Sequence, residues 1–376
     1  MRMLETTLLT GPYDWDAALV PRSEFAARIA AVRAILRQRG LNGLVVGGTS
    51  PEHGALGYLT GFVPKLGPAL ALIPSDGELR IVYSGGAAML SSAQRLTFIT
   101  DVRAMRDPEQ EFAAWLRETK GTRFALWGDY AITSDVRRAL DRVVPAPLVV
   151  LDGELDALRR RKSACELALI RRACEILDVT LRELRAATVS GKGARAASLA
   201  AERVAYAHGA QDVRMLVSLR DGGIPQPLIG TDDPHVDPLL ACIAVRFAGY
   251  FAEGLATITA KPTATFAAAG AAGAADAALA AMLQTARPGV VASQLTAAAR
   301  QALAGAKLHP LVAASPGNGI GVSRQEAPFL TDSDSSPLQD GDVCTLRAGA
   351  YAGATGSAIV SAMVRVGQSG AEILWK

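Results

Sequence analysis

Short apolar runs alternate with amphipathic helical segments over the first 150 residues, and this alternation constrains the fold most. Residues 22–39 carry apolar side chains at helical spacing, and Gly40 ends that segment before the apolar run 41–46. Two further apolar runs, 69–73 and 79–83, are separated by a turn-forming Pro-Ser-Asp-Gly sequence. Strands that alternate with helices predict an α/β domain.

The pattern changes after Leu151. Residues 155–187 predict one long, highly charged helix, and residues 194–208 predict a second helix that ends near Gly209. Apolar strands and two Ala-rich helices follow, at 215–219, 239–247, 251–259, 263–283 and 291–304, before a strand-like end from 343 onward. We therefore predict an α+β domain over 153–376, after an α/β domain over 1–152.

Composition excludes several classes of partner. The 376 residues carry a formal net charge of +3, and no basic block alternates with aromatic residues, so we expect no nucleic-acid partner. No run of eighteen apolar residues is present, and residues 1–5 lack a signal-peptide core. We therefore expect no membrane partner and a cytoplasmic location. The four cysteines lack CxxC spacing, which indicates free thiols in a reducing compartment.

Several short segments occur in an order typical of one protein family. They are Tyr-Leu-Thr-Gly-Phe at 58–62, Leu-Arg-Arg-Arg-Lys-Ser at 158–163, Gly-Tyr at 249–250, Asn-Gly-Ile-Gly at 318–321, Gly-Asp-Val at 341–343 and Gly-Ala-Glu-Ile-Leu at 370–374. Together they resemble the creatinase/aminopeptidase P/prolidase family. The resemblance implies a creatinase/prolidase-like N-terminal α/β domain, a "pita-bread" α+β C-terminal domain and a homodimer.

The resemblance also implies where metal ligands would lie. Metallopeptidases of this family bind two divalent ions through two Asp, one His and two Glu. In this chain those five positions fall on Cys242, Glu253, Asn318, Arg347 and Ser361. The family's proton-shuttling His falls on Gln226, and its later His falls on Gln325, beside Glu326.

These substitutions predict a site without metal and without any cofactor. Arg347 would repel a divalent cation, and the remaining side chains form a pocket of mixed charge. We expect that pocket to take a small polar substrate whose carboxylate is held by Arg347. Asn318, Gln226, Ser361 and Glu326 complete the predicted substrate-binding set.

Two residues are candidates for catalysis, and each has an alternative interpretation. Glu253 is either a buried general base or the salt-bridge partner of Arg347. Cys242 is either a nucleophile or a small residue of an apolar strand, and the absence of a nearby histidine favours the strand residue. Asn318 is either a pocket donor or a turn residue.

The four histidines also have alternative interpretations. Only His235 and His309 could reach the predicted pocket, and we expect both to lie in surface loops.

Two functional hypotheses follow. The first is a metal-independent, creatinase-like hydrolase that cleaves a C–N bond in a small, carboxylate-bearing substrate. The alternative is a catalytically inactive pseudo-peptidase that binds a peptide or protein. Ordinary metallopeptidase activity is not expected.

Overall fold

The computed structural model divides into two compact units, Met1–Arg159 and Arg160–Lys376. The sequence prediction placed the division after residue 152, at the start of the helix Asp152–Arg160. The residues that the structure describes are 15–64, 67–221, 223–260, 266–313, 315–331, 333–351 and 356–376, with the backbone alone in 266–269.

The first unit is an α/β domain, as predicted. Its elements are α1 (Arg22–Gln38), β1 (Gly43–Gly48), α2 (Gly54–Thr60), β2 (Ala69–Pro74), β3 (Arg80–Tyr83), α3 (Leu90–Arg95), β4 (Asp101–Ala104), α4 (Pro108–Thr119), β5 (Phe124–Trp127), α5 (Ser134–Val143), β6 (Val149–Val150) and α6 (Asp152–Arg160). The strands form one mixed sheet in the order β4-β3-β2-β1-β5-β6.

Both faces of the central strands of this sheet are covered. All six residues of β1 and all six of β2 are buried, which explains why the sequence shows continuous apolar runs rather than alternation. Phe112 and Trp115 of α4 pack into the same core. Asp107 begins α4, since its side chain accepts hydrogen bonds from the backbone N–H groups of Glu109 and Gln110.

The second unit has the pita-bread α+β architecture that the sequence predicted. Its elements are α7 (Ala164–Val189), α8 (Ala194–Ala207), β7 (Asp212–Val217), β8 (Leu239–Phe247), β9 (Tyr250–Ile258), α9 (Phe266–Thr285), α10 (Ala292–Ala302), β10 (Lys307–Leu308), α11 (Pro310–Ala313), β11 (Gly317–Gly319), β12 (Glu326–Phe329), β13 (Val343–Tyr351), β14 (Ser357–Gly367) and β15 (Gly370–Trp375). The start predicted for the Ala-rich helix α9, at 263–265, lies outside the described residues.

The long helix predicted over 155–187 is two helices, α6 and α7. Ser163 begins α7 with a reciprocal capping box: its side chain accepts from the N–H of Glu166, whose carboxylate accepts from the N–H of Ser163. The prediction of a single helix was wrong because charged residues continue across the break, which hides this Ser-x-x-Glu signal.

Two sheets form the second unit. Strands β12-β11-β13-β14-β15 lie in one sheet, where β10 also pairs with β13, and β7-β8-β9 form a smaller antiparallel sheet. The sheets are joined by hydrogen bonds between β9 and β14: the Leu255 N–H donates to Ser361 Oγ at 2.7 Å, and the Ile359 N–H donates to Thr257 Oγ1 at 2.8 Å. Helices α9 and α10 share a buried core with β13 and β14.

None of the helices in the described part of the chain is long and apolar enough to cross a membrane.

Gly254 on β9 is in close contact with the ring of Trp375 on β15. A Cβ atom at position 254 would lie 2.4 Å from the Cη2 atom of that ring, which is much shorter than a van der Waals contact. Only glycine therefore lets the indole pack directly on the β9 backbone.

We predict that Gly254→Ala lowers the free energy of unfolding by about 1–3 kcal/mol, since the added methyl overpacks a buried contact. Gly270→Ala is the matched control, because position 270 lies on α9, where an added Cβ would meet nothing within 4 Å. The control should raise stability by up to about 1 kcal/mol through its helix propensity. Urea unfolding followed by circular dichroism measures both, and equal effects would contradict the packing argument.

Candidate functional site

Glu253 is at the centre of the candidate site. It lies in the middle of β9, its side chain is 1% exposed, and its carboxylate contacts two arginines. Arg347 Nε donates to Glu253 Oε1 at 2.8 Å, and Arg324 Nη1 donates to Glu253 Oε2 at 2.6 Å. The salt bridge between Glu253 and Arg347, which was one of the two interpretations from the sequence, is therefore present. Arg324 forms a second salt bridge with the same carboxylate.

All of the nitrogens of the Arg347 guanidinium are engaged inside the protein. Besides Glu253, Nη2 donates to Asn318 Oδ1 at 2.7 Å, and Nη1 lies 3.3 Å from Ser315 Oγ. We predicted that Arg347 holds the carboxylate of a substrate. The structure instead gives its donors to Glu253, Asn318 and Ser315, because a buried guanidinium needs partners within the protein.

Arg324 differs from Arg347 in its exposure. Its side chain is 28% exposed, against 7% for Arg347, and it lies in the turn between β11 and β12. The Phe251 N–H donates to the Gly321 carbonyl at 2.8 Å, which fixes this turn beside β9. Glu253, Arg324 and Arg347 form what we call the Glu253 cluster. Arg324 is therefore its most solvent-accessible residue, which a ligand can reach.

Asn318 positions both arginines. Its Oδ1 accepts from Arg347, while Nδ2 donates to the carbonyls of Gly319 at 2.7 Å and Arg324 at 3.0 Å. The side chain is buried and its hydrogen bonds are made within the protein. Asn318 is thus a positioning residue rather than the free pocket donor of the sequence hypothesis.

Cys242 lies on β8 next to the cluster. Burial, followed by the neighbouring charge of Glu253, raises the pKa of its thiol to about 11, against the opposing effect of nearby arginines. The thiol is therefore protonated at neutral pH and is a poor nucleophile. This favours the interpretation of Cys242 as a small strand residue.

Three predicted substrate-binding residues have other contacts. Ser361 Oγ accepts from the N–H of Leu255, so its hydroxyl joins two sheets. Glu326 is buried in an ion pair with Lys162. Gln226 is exposed, and its backbone pairs with that of Val217.

The two histidines that could reach the cleft do not line it. His235 is exposed, as expected for a loop residue. His309 is instead buried, which the loop prediction missed, and its Nδ1 accepts from the N–H of Leu311 at 3.2 Å.

A cavity of about 210 Å³ opens beside the Glu253 cluster. Its charged lining consists of three arginines and one glutamate, Arg214, Arg324, Arg347 and Glu253. The rest of its wall is Leu216, Cys242, Ala244, Leu255, Leu311, Ser315 and Gln325. Neither Arg214 nor Arg324 was among the site residues predicted from the sequence. Gln226, Glu326 and Ser361 lie outside this lining.

Models of two protein families match the chain. A model described as the Creatinase/Prolidase N-terminal domain matches residues 28–161. A model of metallopeptidase family M24 matches residues 168–370, more than half of the chain. The chain belongs to metallopeptidase family M24. Comparison with curated protein sequences gives no match.

Solved structures similar to this M24 protein share its fold over nearly the whole length. The X-Pro aminopeptidase from Thermotoga maritima MSB8 has a TM-score of 0.76 at 18% identity, covering 93% of this chain and 97% of that chain. The prolidase from Pyrococcus horikoshii OT3 has a TM-score of 0.75 at 17% identity, covering 93% and 98%. The dipeptidase PepE from Mycobacterium ulcerans has a TM-score of 0.73 at 23% identity, covering 94% and 96%.

Membership of a metallopeptidase family implies a metal at this site, but the residues present do not fit one. Within the described residues no group of three or more His, Cys, Asp or Glu could hold a metal ion. The carboxylate that lines the cavity is bound by two guanidinium groups. A divalent cation would have to displace both arginines and then remain beside their positive charges.

The raised pKa of Cys242 predicts slow alkylation. At pH 8 a thiol with a pKa of about 11 is roughly one part in a thousand thiolate. We expect iodoacetamide to modify Cys242 in the native protein about a hundredfold more slowly than in urea-unfolded protein, as measured by peptide mass spectrometry. Rapid native labelling at pH 8 would restore Cys242 as a candidate nucleophile.

Proposed function

We propose that the second unit binds a small carboxylate-bearing molecule in its cavity, and that it does so without metal ions. The observation that carries this proposal is the pairing of both Glu253 oxygens with Arg324 and Arg347. That pairing removes the acidic character that a cation site needs. With Arg214 added, the cavity has an excess of positive charge, and a carboxylate is the complementary ligand group.

The size of the cavity favours a small molecule over a peptide or protein. Pockets for drug-sized ligands have volumes of about 300–1,000 Å³. A cavity of about 210 Å³ is smaller and accommodates a metabolite of a few carbons rather than a length of polypeptide. Homodimer formation and a cytoplasmic location stay predictions from the sequence.

Metal binding gives the direct test of this proposal. We expect purified protein, dialysed with Mn²⁺ or Zn²⁺, to retain no stoichiometric metal by elemental analysis, and to melt at the same temperature with or without a chelator. Small carboxylates at millimolar concentration should raise the melting temperature, because a ligand that binds only the folded state stabilises it. Retention of two ions per chain would overturn the proposal.

Metal-independent hydrolysis is the second candidate function, and the exposure of Arg324 favours it. Glu253 lines the cavity, and its Oε2 is held by the partly exposed arginine. If a substrate carboxylate draws Arg324 away, Oε2 can take a proton from a water that attacks the carbonyl carbon of an amide. The same proton then passes to the leaving nitrogen as the C–N bond breaks, which yields a carboxylic acid and an amine.

Release of amines from N-acetyl and N-carbamoyl amino acids, detected with an amine-reactive fluorophore, tests this second function. We expect Glu253→Gln to abolish turnover, because glutamine cannot accept the proton. Arg324→Gln should raise kcat, since Oε2 is then free, while it raises KM. If the wild-type protein releases no amine, or if Glu253→Gln retains the wild-type rate, the hydrolytic function is wrong and the binding proposal remains.

A further inference from the structure

Arg214 is the charged residue of the cavity lining whose position is not explained by a contact with another described residue. It lies on β7, its side chain is exposed, and it also lines the cavity. Within the described part of the chain, its guanidinium has no ion-pair or hydrogen-bond partner, unlike those of Arg324 and Arg347. Its donors are therefore available to a ligand.

The register of the small sheet places Arg214 opposite the acid. Arg214 pairs with Ala244, and Ala244 pairs with Glu253, so the three residues form one row across β7, β8 and β9. Residues paired in this way point to the same face of a sheet. Two strand spacings separate Arg214 from Glu253, or about 10 Å between backbones. The methyl group of Ala244 leaves the space between them open.

The charges along this row fix where an anionic group can sit. At the Glu253 end of the row, the donors of Arg347 are already occupied by protein acceptors, whereas at the other end the donors of Arg214 are available. Arg324 uses Nη1 for Glu253, and its Nε and Nη2 make no hydrogen bond within the described residues. A ligand carboxylate is thus favoured on the Arg214 side of the cavity, where a guanidinium can bind both of its oxygens.

The neighbouring row supplies an apolar wall. Leu216 pairs with Cys242, and Cys242 pairs with Leu255, so these side chains lie beside the charged row on the same face. Leu311 of α11 also lines the cavity. Leucine side chains cannot form hydrogen bonds with a polar ligand group, whereas burial of an aliphatic group against them lowers the free energy of binding.

We propose that Arg214 is the specificity-determining residue of the cavity, and that its ligand is a short-chain aliphatic monocarboxylate. The carboxylate binds Arg214, and the aliphatic part packs on Leu216, Leu255 and Leu311. This inference rests on the proposed function and goes further, since it assigns the anion to Arg214 rather than to Arg347.

Binding of 3-methylbutanoate, measured by isothermal titration and by thermal shift, tests this inference. The matched neutral probe is 3-methylbutanol, and inorganic phosphate is the probe for a general anion site. We expect the carboxylate to bind and both other probes to bind at least about tenfold more weakly. Arg214→Gln should weaken 3-methylbutanoate about tenfold or more, while Arg214→Lys recovers part of the loss because it keeps the charge.

Arg185→Gln is the control variant, because Arg185 is an exposed arginine of α7 in the same unit. Arg185→Gln should bind 3-methylbutanoate as tightly as the wild-type protein does. The melting temperature of the unliganded Arg214→Gln protein should also equal that of the wild type, since position 214 is exposed. Unchanged binding to Arg214→Gln would overturn the assignment and leave the proposed function standing. Equal binding of the alcohol or of phosphate would overturn the ligand class. If none of the probes binds the wild-type protein, both this inference and the proposed small-carboxylate site are wrong.

Discussion

The sharing of one buried carboxylate by two guanidinium groups determines the chemistry of this protein. A charge that is removed from water costs several kcal/mol unless it is paired, so Glu253 and Arg347 are stable in the interior only together. Arg324 supplies a second positive charge from the solvent side. The cluster therefore gives the cavity a positive net charge and pairs both oxygens of the acid that faces it.

The fold around the cluster is that of a metallopeptidase family, and two polar residues at positions that the resemblance assigns to metal ligands make contacts within the protein. Asn318, where the resemblance places a metal-binding histidine, holds Arg347 and the turn that carries Arg324. Ser361, at the position of a metal-binding glutamate, hydrogen-bonds to the backbone of β9. The family fold is therefore present together with this set of polar contacts, and a fold does not itself determine a function.

Periodicity and motif order predicted the two-unit fold, because both depend on residues that are close in sequence. The break between α6 and α7 was missed, since the capping pair Ser163 and Glu166 lies within a continuous run of charged residues. The resemblance placed Glu253, Asn318 and Arg347 in one pocket, and these three side chains are in contact in the structure. It also placed Gln226 there, whereas the structure has Gln226 exposed and outside the cavity lining.

The remaining site residues depend on geometry that the sequence does not display. Arg324 reaches Glu253 because the turn containing Gly321 is hydrogen-bonded to Phe251 on a distant strand. Arg214 enters the site through the register of β7 against β8, and a single charged residue within a strand gives no local signal of that pairing. Both contacts join segments far apart in the chain.

In the row formed by Arg214, Ala244 and Glu253, the charge of the cavity and the length of the space within it depend on different residues. The charged residues stand at the two ends of the row, whereas its middle is the smallest side chain with a Cβ atom. Exchanging that methyl for a larger aliphatic group would shorten the longest molecule that the cavity admits, with every ion pair left intact. In related proteins, a change at this one neutral position would therefore alter the chain length that the cavity admits without altering its charged residues.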